Sequence, residues 1–274
     1  MSLLRVEGLT KKFGGLNAVE DLSFDVEPGA VHSIIGPNGA GKTTLLNLLT
    51  GVYQPSGGRI VFGGNDLTGR APHEYARHGI ARTFQNLQVF FNMSALENVM
   101  VGRYMHERCG LVAALVGSPR VARSERAGRE EAAELMCYVG LREYLSAAAD
   151  AMPYGALKRL EIARALATRP KLLLLDEPAA GLNPTGALEL DDLIGSLSGR
   201  GVTVVLVEHN MRLVMGVSDH ILVLDYGRKL AEGPAGTVRN DPKVIEAYLG
   251  SAGAHDGSCG NAIASAVAAA VETH

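Results

Sequence analysis

The stretch Gly36-Pro37-Asn38-Gly39-Ala40-Gly41-Lys42-Thr43 decides the fold of this chain, and it fits the pattern G-x-x-x-x-G-K-[ST] without departure. The stretch Ala30 to Ile35 precedes it as a candidate buried strand, and Thr44-Leu45-Leu46-Asn47-Leu48-Leu49 follows it as the first turns of a helix. Strand, glycine-rich loop and helix form the context in which this pattern binds phosphate. The loop turns its N–H groups inward, and the helix N-terminus adds partial positive charge. We therefore expect Lys42 to reach the β- and γ-phosphates of a nucleotide and the Thr43 hydroxyl to bind Mg²⁺. The alternative is a plain glycine turn in an unrelated α/β protein.

Composition and charge narrow the class of protein. The 274 residues are enough for one large domain or two small ones, and 47% hydrophobic with only 5% aromatic content suits an aliphatic α/β core. A formal charge of -3 shows no basic excess that would favour nucleic acid. Three scattered cysteines (Cys109, Cys137 and Cys259) have no metal-binding spacing and fit a reducing cytoplasm. No signal-peptide layout and no membrane-spanning apolar run is visible, so we expect a protein that is soluble alone and can dock on a membrane protein.

The elements around the loop fall into three groups. Short strands are predicted at Leu3–Leu9, Leu22–Val26, Arg59–Phe62 and Ile80–Phe84. The first three favour an antiparallel β layer. The capping-box pattern Ser94-Ala95-Leu96-Glu97 predicts a helix start and opens a mostly helical region over about residues 94–169. From Lys171 onward strands and helices alternate, which favours a parallel sheet. We expect one domain over residues 1–250, followed by a flexible or weakly helical extension over residues 251–274; a docking role for that extension is the alternative.

Two acidic residues end the apolar run Leu172–Leu175. A buried parallel strand delivers its carboxyl end to the ligand side of a sheet. Asp176 is therefore expected to hold Mg²⁺ through water, and Glu177 to polarise the water that attacks the γ-phosphate. The alternative is a strand that meets a helix cap.

These motifs, in this order, make residues Leu3 to Gly250 resemble an ABC-type ATPase, the nucleotide-binding subunit of a membrane transporter. The resemblance implies an α/β P-loop NTPase of ABC type, with a RecA-like parallel-sheet core, an antiparallel β layer and a helical subdomain inserted at about 94–169. It implies ATP and Mg²⁺ as cofactors and ATP hydrolysis as the reaction, with Lys42 among the catalytic residues.

The resemblance also implies roles for single residues. Phe13 would stack on the adenine ring, and Thr44 would join Thr43 at the nucleotide. Gln85 takes the place of the Q-loop glutamine, which contacts Mg²⁺ and the attacking water and couples the site to the membrane partner. His209 takes the place of the switch histidine, which contacts the γ-phosphate. The alternatives are a core phenylalanine, a solvated glutamine and a structural histidine.

Pro153-Tyr154-Gly155-Ala156 takes the place of the signature loop of the family, Leu-Ser-Gly-Gly-Gln. The resemblance implies that Tyr154 and Gly155 close over ATP held by a second ATPase subunit, so that two ATP molecules lie between two subunits. Pro153 stands where the family has serine, and Ala156 stands where it has glutamine. From this departure we infer a non-identical second ATPase subunit, with a homodimer as the alternative.

Two further stretches, Ala179-Ala180-Gly181-Leu182-Asn183-Pro184 and Glu208-His209-Asn210-Met211, resemble the LivG-type ATPases of branched-chain amino-acid importers. That subgroup implies a peripheral protein on the cytoplasmic face of the inner membrane. Its implied partners are two membrane-spanning permease subunits, a second ATPase subunit and, indirectly, a solute-binding protein, with no nucleic acid. Gln85 to Asn92 is the candidate permease contact. The alternatives are an ATPase for urea or amide uptake or for lipopolysaccharide export, a non-transport ABC ATPase, and an inactive regulatory subunit.

Overall fold

The computed structural model describes residues 2–106 and 119–252. These divide into two compact units, one within Met1–Tyr75 and Ile194–His274 and one within Ala76–Leu193. The strands are β1 Leu4–Phe13, β2 Leu16–Val26, β3 Val31–Ile35, β4 Gly57–Phe62, β5 Asn65–Asp66, β6 Ile80–Arg82, β7 Leu172–Asp176, β8 Thr203–Val207, β9 His220–Asp225 and β10 Arg228–Gly233. The helices are α1 Lys42–Leu49, α2 Pro72–His78, α3 Ala95–Arg103, α4 Pro119–Tyr138, α5 Tyr154–Ala167, α6 Pro184–Gly199, α7 Met211–Val217, α8 Ala235–Arg239 and α9 Pro242–Ala252. Three 3₁₀ turns lie at Tyr104–His106, Arg142–Tyr144 and Ala149–Ala151.

The antiparallel β layer belongs to the first unit, and its strand order is β2-β1-β4-β5. Leu4 pairs with Val26 on one side and with Phe62 on the other. Buried apolar and exposed polar residues alternate along β1 and β2, the pattern of a sheet with one covered face. Both strands are longer than the apolar alternation predicts, because their polar ends still pair through the backbone.

The first unit also holds four strands in the order β10-β9-β3-β8. β3 runs parallel to β8 and to β9, and every residue of β3 and β8 is buried, including the polar His32, Ser33 and Thr203. β10 pairs with β9 in the antiparallel direction through a tight turn at Tyr226-Gly227. The alternation expected after Lys171 is therefore wrong at its end, where a hairpin replaces a strand–helix–strand crossover.

The last described helix, α9, packs on this unit. Val244 and Tyr248 join a buried cluster with Ile35, Ile221 and Val223. The helix continues to Ala252, two residues beyond the expected domain end at Gly250. Residues 253–274 of the expected extension lie outside the described residues.

The second unit contains the parallel pair β6 and β7 and the helices α3, α4 and α5. The predicted capping box is confirmed: the Ser94 hydroxyl accepts from Glu97 N at 3.2 Å, and the Glu97 carboxylate accepts from Ser94 N at 2.9 Å. β6 ends at Arg82 rather than at Phe84: Thr83 N still donates to Leu174 O at 3.0 Å, but Phe84 beyond it is 43% exposed. Within residues 2–106 and 119–252, no helix combines the length and apolarity that crossing a bilayer requires.

Candidate functional site

The glycine-rich loop joins β3 to α1 with a backbone that only glycine accepts at two positions. Gly36 has φ 153°, and a Cβ there would lie 2.2 Å from Leu224 O. Gly41 has φ 95°, and a Cβ there would lie 2.4 Å from Ala18 O. The fixed glycines of the sequence pattern are thus required by the close approach of two other backbone segments.

Lys42 is the first residue of α1 and is buried. Its Nζ donates to Gly36 O at 2.7 Å and to Pro37 O at 2.9 Å, so the ammonium group lies inside the curve of the loop. The N-cap Gly41 makes no side-chain hydrogen bond to α1, and a helix N-terminus favours an anion. Thr43 is exposed and can offer its hydroxyl there. The ammonium group, the helix N-terminus and the Thr43 hydroxyl together fit a triphosphate with its metal ion.

Phe13 is not a core residue, since 44% of it is exposed. Its ring meets Tyr53 edge to face, with the centroids 5.3 Å apart. The Lys11 ammonium lies 4.9 Å from the Phe13 centroid and 5.7 Å from the Tyr53 centroid. An open aromatic face suits base stacking. The sequence analysis missed Lys11 and Tyr53, and no local motif marks them.

His209 lies on a turn that follows β8 and that buried Glu208 fixes. Glu208 is 1% exposed, and its Oε2 accepts from His209 N at 3.0 Å and from Asn210 N at 3.3 Å. The Asn210 side chain caps α7 by accepting from the N–H groups of Arg212 and Leu213. The His209 side chain is itself 56% exposed. Hydrogen bonds to Glu208 thus fix the backbone at His209, while its imidazole stays more than half exposed.

In the second unit, β7 ends at Asp176, and Glu177 follows the strand directly. Asp176 Oδ2 lies 2.8 Å from Arg82 Nη2, and the two side chains are 4% and 5% exposed. Glu177 has φ 47°, a left-handed backbone that is costly for a residue with a Cβ. Its Oε2 accepts from Gln85 Nε2 at 2.9 Å. The structure thus brings Gln85 to the expected general base, and it adds Arg82, which the sequence analysis read only as part of a strand.

The signature-loop residues open α5. Pro153 is the N-cap and supplies no side-chain hydrogen bond, although its carbonyl oxygen accepts from Ala156 N at 3.0 Å. Tyr154 is 44% exposed, and a Cβ on Gly181 would come within 3.0 Å of its ring. Ala156 is 2% exposed, so its methyl group is part of the interior.

The predicted site residues therefore form two groups, one in each unit. Phe13, Gly36 to Thr44 and His209 belong to the first. Gln85, Tyr154, Gly155, Asp176 and Glu177 belong to the second.

Comparison with known proteins identifies the family of the chain. The family model described as "ABC transporter" matches residues 19–180. The chain therefore belongs to the ABC transporter family, and it has the ATP-binding cassette fold of that family. A second model, "Branched-chain amino acid ATP-binding cassette transporter", matches residues 228–254, which include β10, α8 and α9.

Curated relatives cover almost the whole chain. The high-affinity branched-chain amino acid transport ATP-binding protein BraF of Pseudomonas aeruginosa is 49% identical over 251 residues, which are 91% of this chain and 98% of BraF. The corresponding protein LivG of Escherichia coli K12 is 44% identical over the same shares of the two chains.

Among solved structures, the ADP conformation of MJ1267, an ATP-binding cassette of an ABC transporter, superimposes with a TM-score of 0.79 and 35% identity. The alignment covers 91% of this chain and 99% of MJ1267. A nucleotide-free ATP-binding cassette from an ABC transporter gives 0.78 and 34%, over 90% of this chain and 99% of the cassette. The expected fold class is thus confirmed.

Proposed function

We propose that this chain is the ATP-hydrolysing subunit of an importer of branched-chain or related amino acids, and that it works on the cytoplasmic face of the inner membrane. The observation that carries the ATPase assignment is the hydrogen bond between the Gln85 amide and the Glu177 carboxylate, directly after the strand that ends in Asp176. The identities to BraF and LivG support the class of solute.

In the proposed reaction the residues of the chain position groups and stabilise charge. The Lys42 ammonium group stabilises the negative charge on the β- and γ-phosphate oxygens. Glu177 accepts a proton from water while the water oxygen forms a bond to the γ-phosphorus and the bond from that phosphorus to the ADP oxygen breaks. Gln85 orients the water, and His209 donates to the γ-phosphate.

Magnesium and the base of the nucleotide have fitting residues as well. Thr43, Asp176 and Gln85 would hold Mg²⁺ with oxygen ligands, which that ion prefers. When bound, the ion neutralises charge on the β- and γ-phosphate oxygens. Phe13, with Tyr53 beside it, would stack on the adenine ring.

The proposed partners include two permease subunits and, through them, a solute-binding protein. The Gln85–Asn92 segment exposes Phe90 and Phe91, which are 43% and 50% exposed, and Phe84 just before it is 43% exposed. Three exposed aromatic rings within one short stretch are typical of a protein contact surface. We propose that this stretch contacts the permease subunits.

The test is uptake of radiolabelled leucine into vesicles that contain the transporter reconstituted from this chain and its co-purifying subunits. Glu177→Gln should keep ATP binding and lose uptake and hydrolysis, because an amide cannot accept the water proton. Glu143→Gln, the same change at an exposed 3₁₀ turn, is the matched control and should behave as wild type. Uptake of urea but not leucine would reject the solute class. ATP hydrolysis at the wild-type rate by Glu177→Gln would show that Glu177 is not the general base.

We further propose a second, non-identical ATPase subunit, because the loop that faces the partner's ATP lacks the serine hydroxyl at Pro153. Ala156 is buried, so glutamine cannot simply be restored there, and the test uses Pro153 alone. Pro153→Ser should strengthen ATP-driven dimerisation, whereas Pro153→Ala, which frees the backbone without adding a hydroxyl, should not. Serine is also a good N-cap, worth about 1 kcal/mol, so melting temperatures must be compared. A stable ATP-bound homodimer of Glu177→Gln alone would contradict the proposal.

A further inference from the structure

Three charged side chains of α5 project from one side of the helix at intervals of three residues. They are Lys158, Glu161 and Arg164. Lys158 and Glu161 are 4% and 3% exposed, and the Arg164 side chain is 19% exposed. Charged residues are almost never so buried unless they are paired. The partners of these three residues, called the α5 row below, therefore indicate their role.

All three side chains contact one segment, residues 85–90. Lys158 Nζ donates to Gln85 O at 2.8 Å. Glu161 Oε1 accepts from Gln88 N, and Arg164 Nη1 donates to Gln88 O. The Arg164 guanidinium also lies 5.4 Å from the centroid of the Phe90 ring.

The other end of the segment is held by α3. Asn98 is fully buried, and its side chain accepts from Phe90 N at 2.9 Å and donates to Phe90 O at 3.0 Å. The segment lies outside any strand or helix, so side chains supply the hydrogen bonds that a strand would otherwise supply. The segment 85–90 has no backbone pairing of a strand, and its two ends are thereby fixed to α5 and α3.

Gln85 links the α5 row to the proposed general base. Its carbonyl oxygen is bound by Lys158, while its side-chain amide is bound to Glu177. The helix that carries Lys158 begins at Tyr154 and Gly155, the residues that would face the partner's ATP. A movement of the start of α5 would therefore reach the Gln85 backbone through one side chain four residues further along.

We propose that Lys158, Glu161 and Arg164 are positioning residues that hold the Gln85–Phe90 segment and thereby keep the Gln85 amide on Glu177; this inference rests on the proposed ATPase function. A gain in folding stability does not explain why charged residues occupy these three positions. Burial raises the pKa of Glu161, although the Gln88 N–H, Arg164 and Lys158 oppose that effect. Burial also lowers the pKa of Arg164. Arg164 Nη2 also lies 3.7 Å from Glu161 Oε1. Apolar residues in place of a buried ion pair often give equal or greater stability, so the charges fit a positional role.

The test is steady-state ATPase kinetics of the transporter reconstituted from the full chain and its partner subunits. Lys158→Met keeps the length of the side chain and removes the ammonium group. It should lower kcat about tenfold and leave KM for ATP within about twofold, because Lys158 is not part of the glycine-rich loop. Lys158→Arg keeps a donor and should recover most of the kcat. Glu161→Gln keeps an acceptor for Gln88 N and should be mild, whereas Glu161→Leu should resemble Lys158→Met.

A double-mutant cycle separates positioning from a general loss of structure. If Lys158 acts through Gln85, then Lys158→Met should have almost no further effect on kcat in a Gln85→Ala background. Multiplicative effects of the two changes, or an unchanged kcat in Lys158→Met, would overturn the inference. If Lys158→Met does not fold, the same cycle with Glu161→Leu decides the question. Failure of the proposed function would be visible separately, as wild-type hydrolysis that does not depend on Lys42.

Discussion

Replacing Arg82 with methionine would remove the guanidinium that lies 2.8 Å from Asp176. Methionine has nearly the length of the arginine stem, so the change mainly deletes charge and hydrogen bonds. The carboxylate would stay at the end of β7, where its side chain is 4% exposed. A carboxylate in such surroundings has lost most of its hydration, and the arginine supplies opposite charge in its place.

The expected loss of stability is large. Removing one partner of a buried ion pair destabilises a protein by about 3–5 kcal/mol, because the other charge remains buried. Total stability of a domain is about 5–15 kcal/mol, so this change would remove a substantial part of it. For a chain of this size the melting temperature should fall by about 10 °C.

The chain contains a matched control on another strand. Arg59 lies 3.2 Å from Asp66, but their side chains are 60% and 47% exposed. Exposed pairs contribute about 0–1 kcal/mol, so Arg59→Met should shift the melting temperature only slightly. Urea unfolding followed by far-UV circular dichroism compares the two variants directly, and the absence of tryptophan makes circular dichroism the practical signal.

Two outcomes would refute the reasoning. Equal losses in Arg82→Met and Arg59→Met would show that burial does not set the strength of the first pair. An Arg82→Met/Asp176→Asn variant that is no more stable than Arg82→Met would show that the unpaired carboxylate is not the cause. If Asp176 holds Mg²⁺, ATP with Mg²⁺ should restore more stability to Arg82→Met than ATP with a chelator.

Three other predictions follow from the same structure. Lys42→Ala should abolish ATP binding or hydrolysis, measured by nucleotide titration and phosphate release, since it removes the charge inside the glycine-rich loop; full activity would reject the loop assignment. Burial lowers the pKa of His32 from 6.5 to about 4, with the neighbouring His220 acting in the same direction, so the folded state favours the neutral ring. Stability should therefore be complete above pH 6.5 and fall by up to about 3 kcal/mol as the pH drops towards 4. His32→Gln keeps an acceptor for the Glu27 N–H and should show a smaller loss between pH 7 and 4; an identical pH profile would contradict the assignment. A chain truncated after Ala252 keeps the buried contacts of Val244 and Tyr248, and it should melt within a few degrees of the full chain; a large drop would place a stabilising contact in residues 253–274.

Much of the fold could be predicted because its signals are local. The glycine-rich loop, the apolar run of β7 and the Ser94–Glu97 capping box each need only neighbouring residues. The β9–β10 hairpin was missed because its second strand, Arg228–Gly233, has no fully buried residue before Gly233 and therefore no clear apolar alternation. Its pairing depends on the turn at Tyr226-Gly227.

The candidate site divides in the same way. Lys42, Asp176 and Glu177 could be named because each lies at, or directly after, the end of an element with a strong pattern. Arg82 could not, because its ion pair joins residues 94 positions apart in the chain. Lys158 and Glu161 bind a segment 73 positions away, and a helix sequence alone reads them as solvated charges. Contacts of this kind depend on how strands and helices pack, and a short stretch of sequence does not contain that information.

The backbone at Glu177 adds an argument about the chemistry. Four residues other than glycine have positive φ among the described residues: Asp21, Arg169, Glu177 and Tyr226. Arg169 follows the end of α5, and Tyr226 forms the hairpin turn, positions at which left-handed backbone is common. Glu177 instead follows a buried strand directly, where its φ of 47° breaks the alternation of side chains. Glycine would adopt this backbone at lower cost. That a glutamate occupies the position, with its carboxylate on the Gln85 amide, is expected if the carboxylate itself is required there, as it is for the proposed general base.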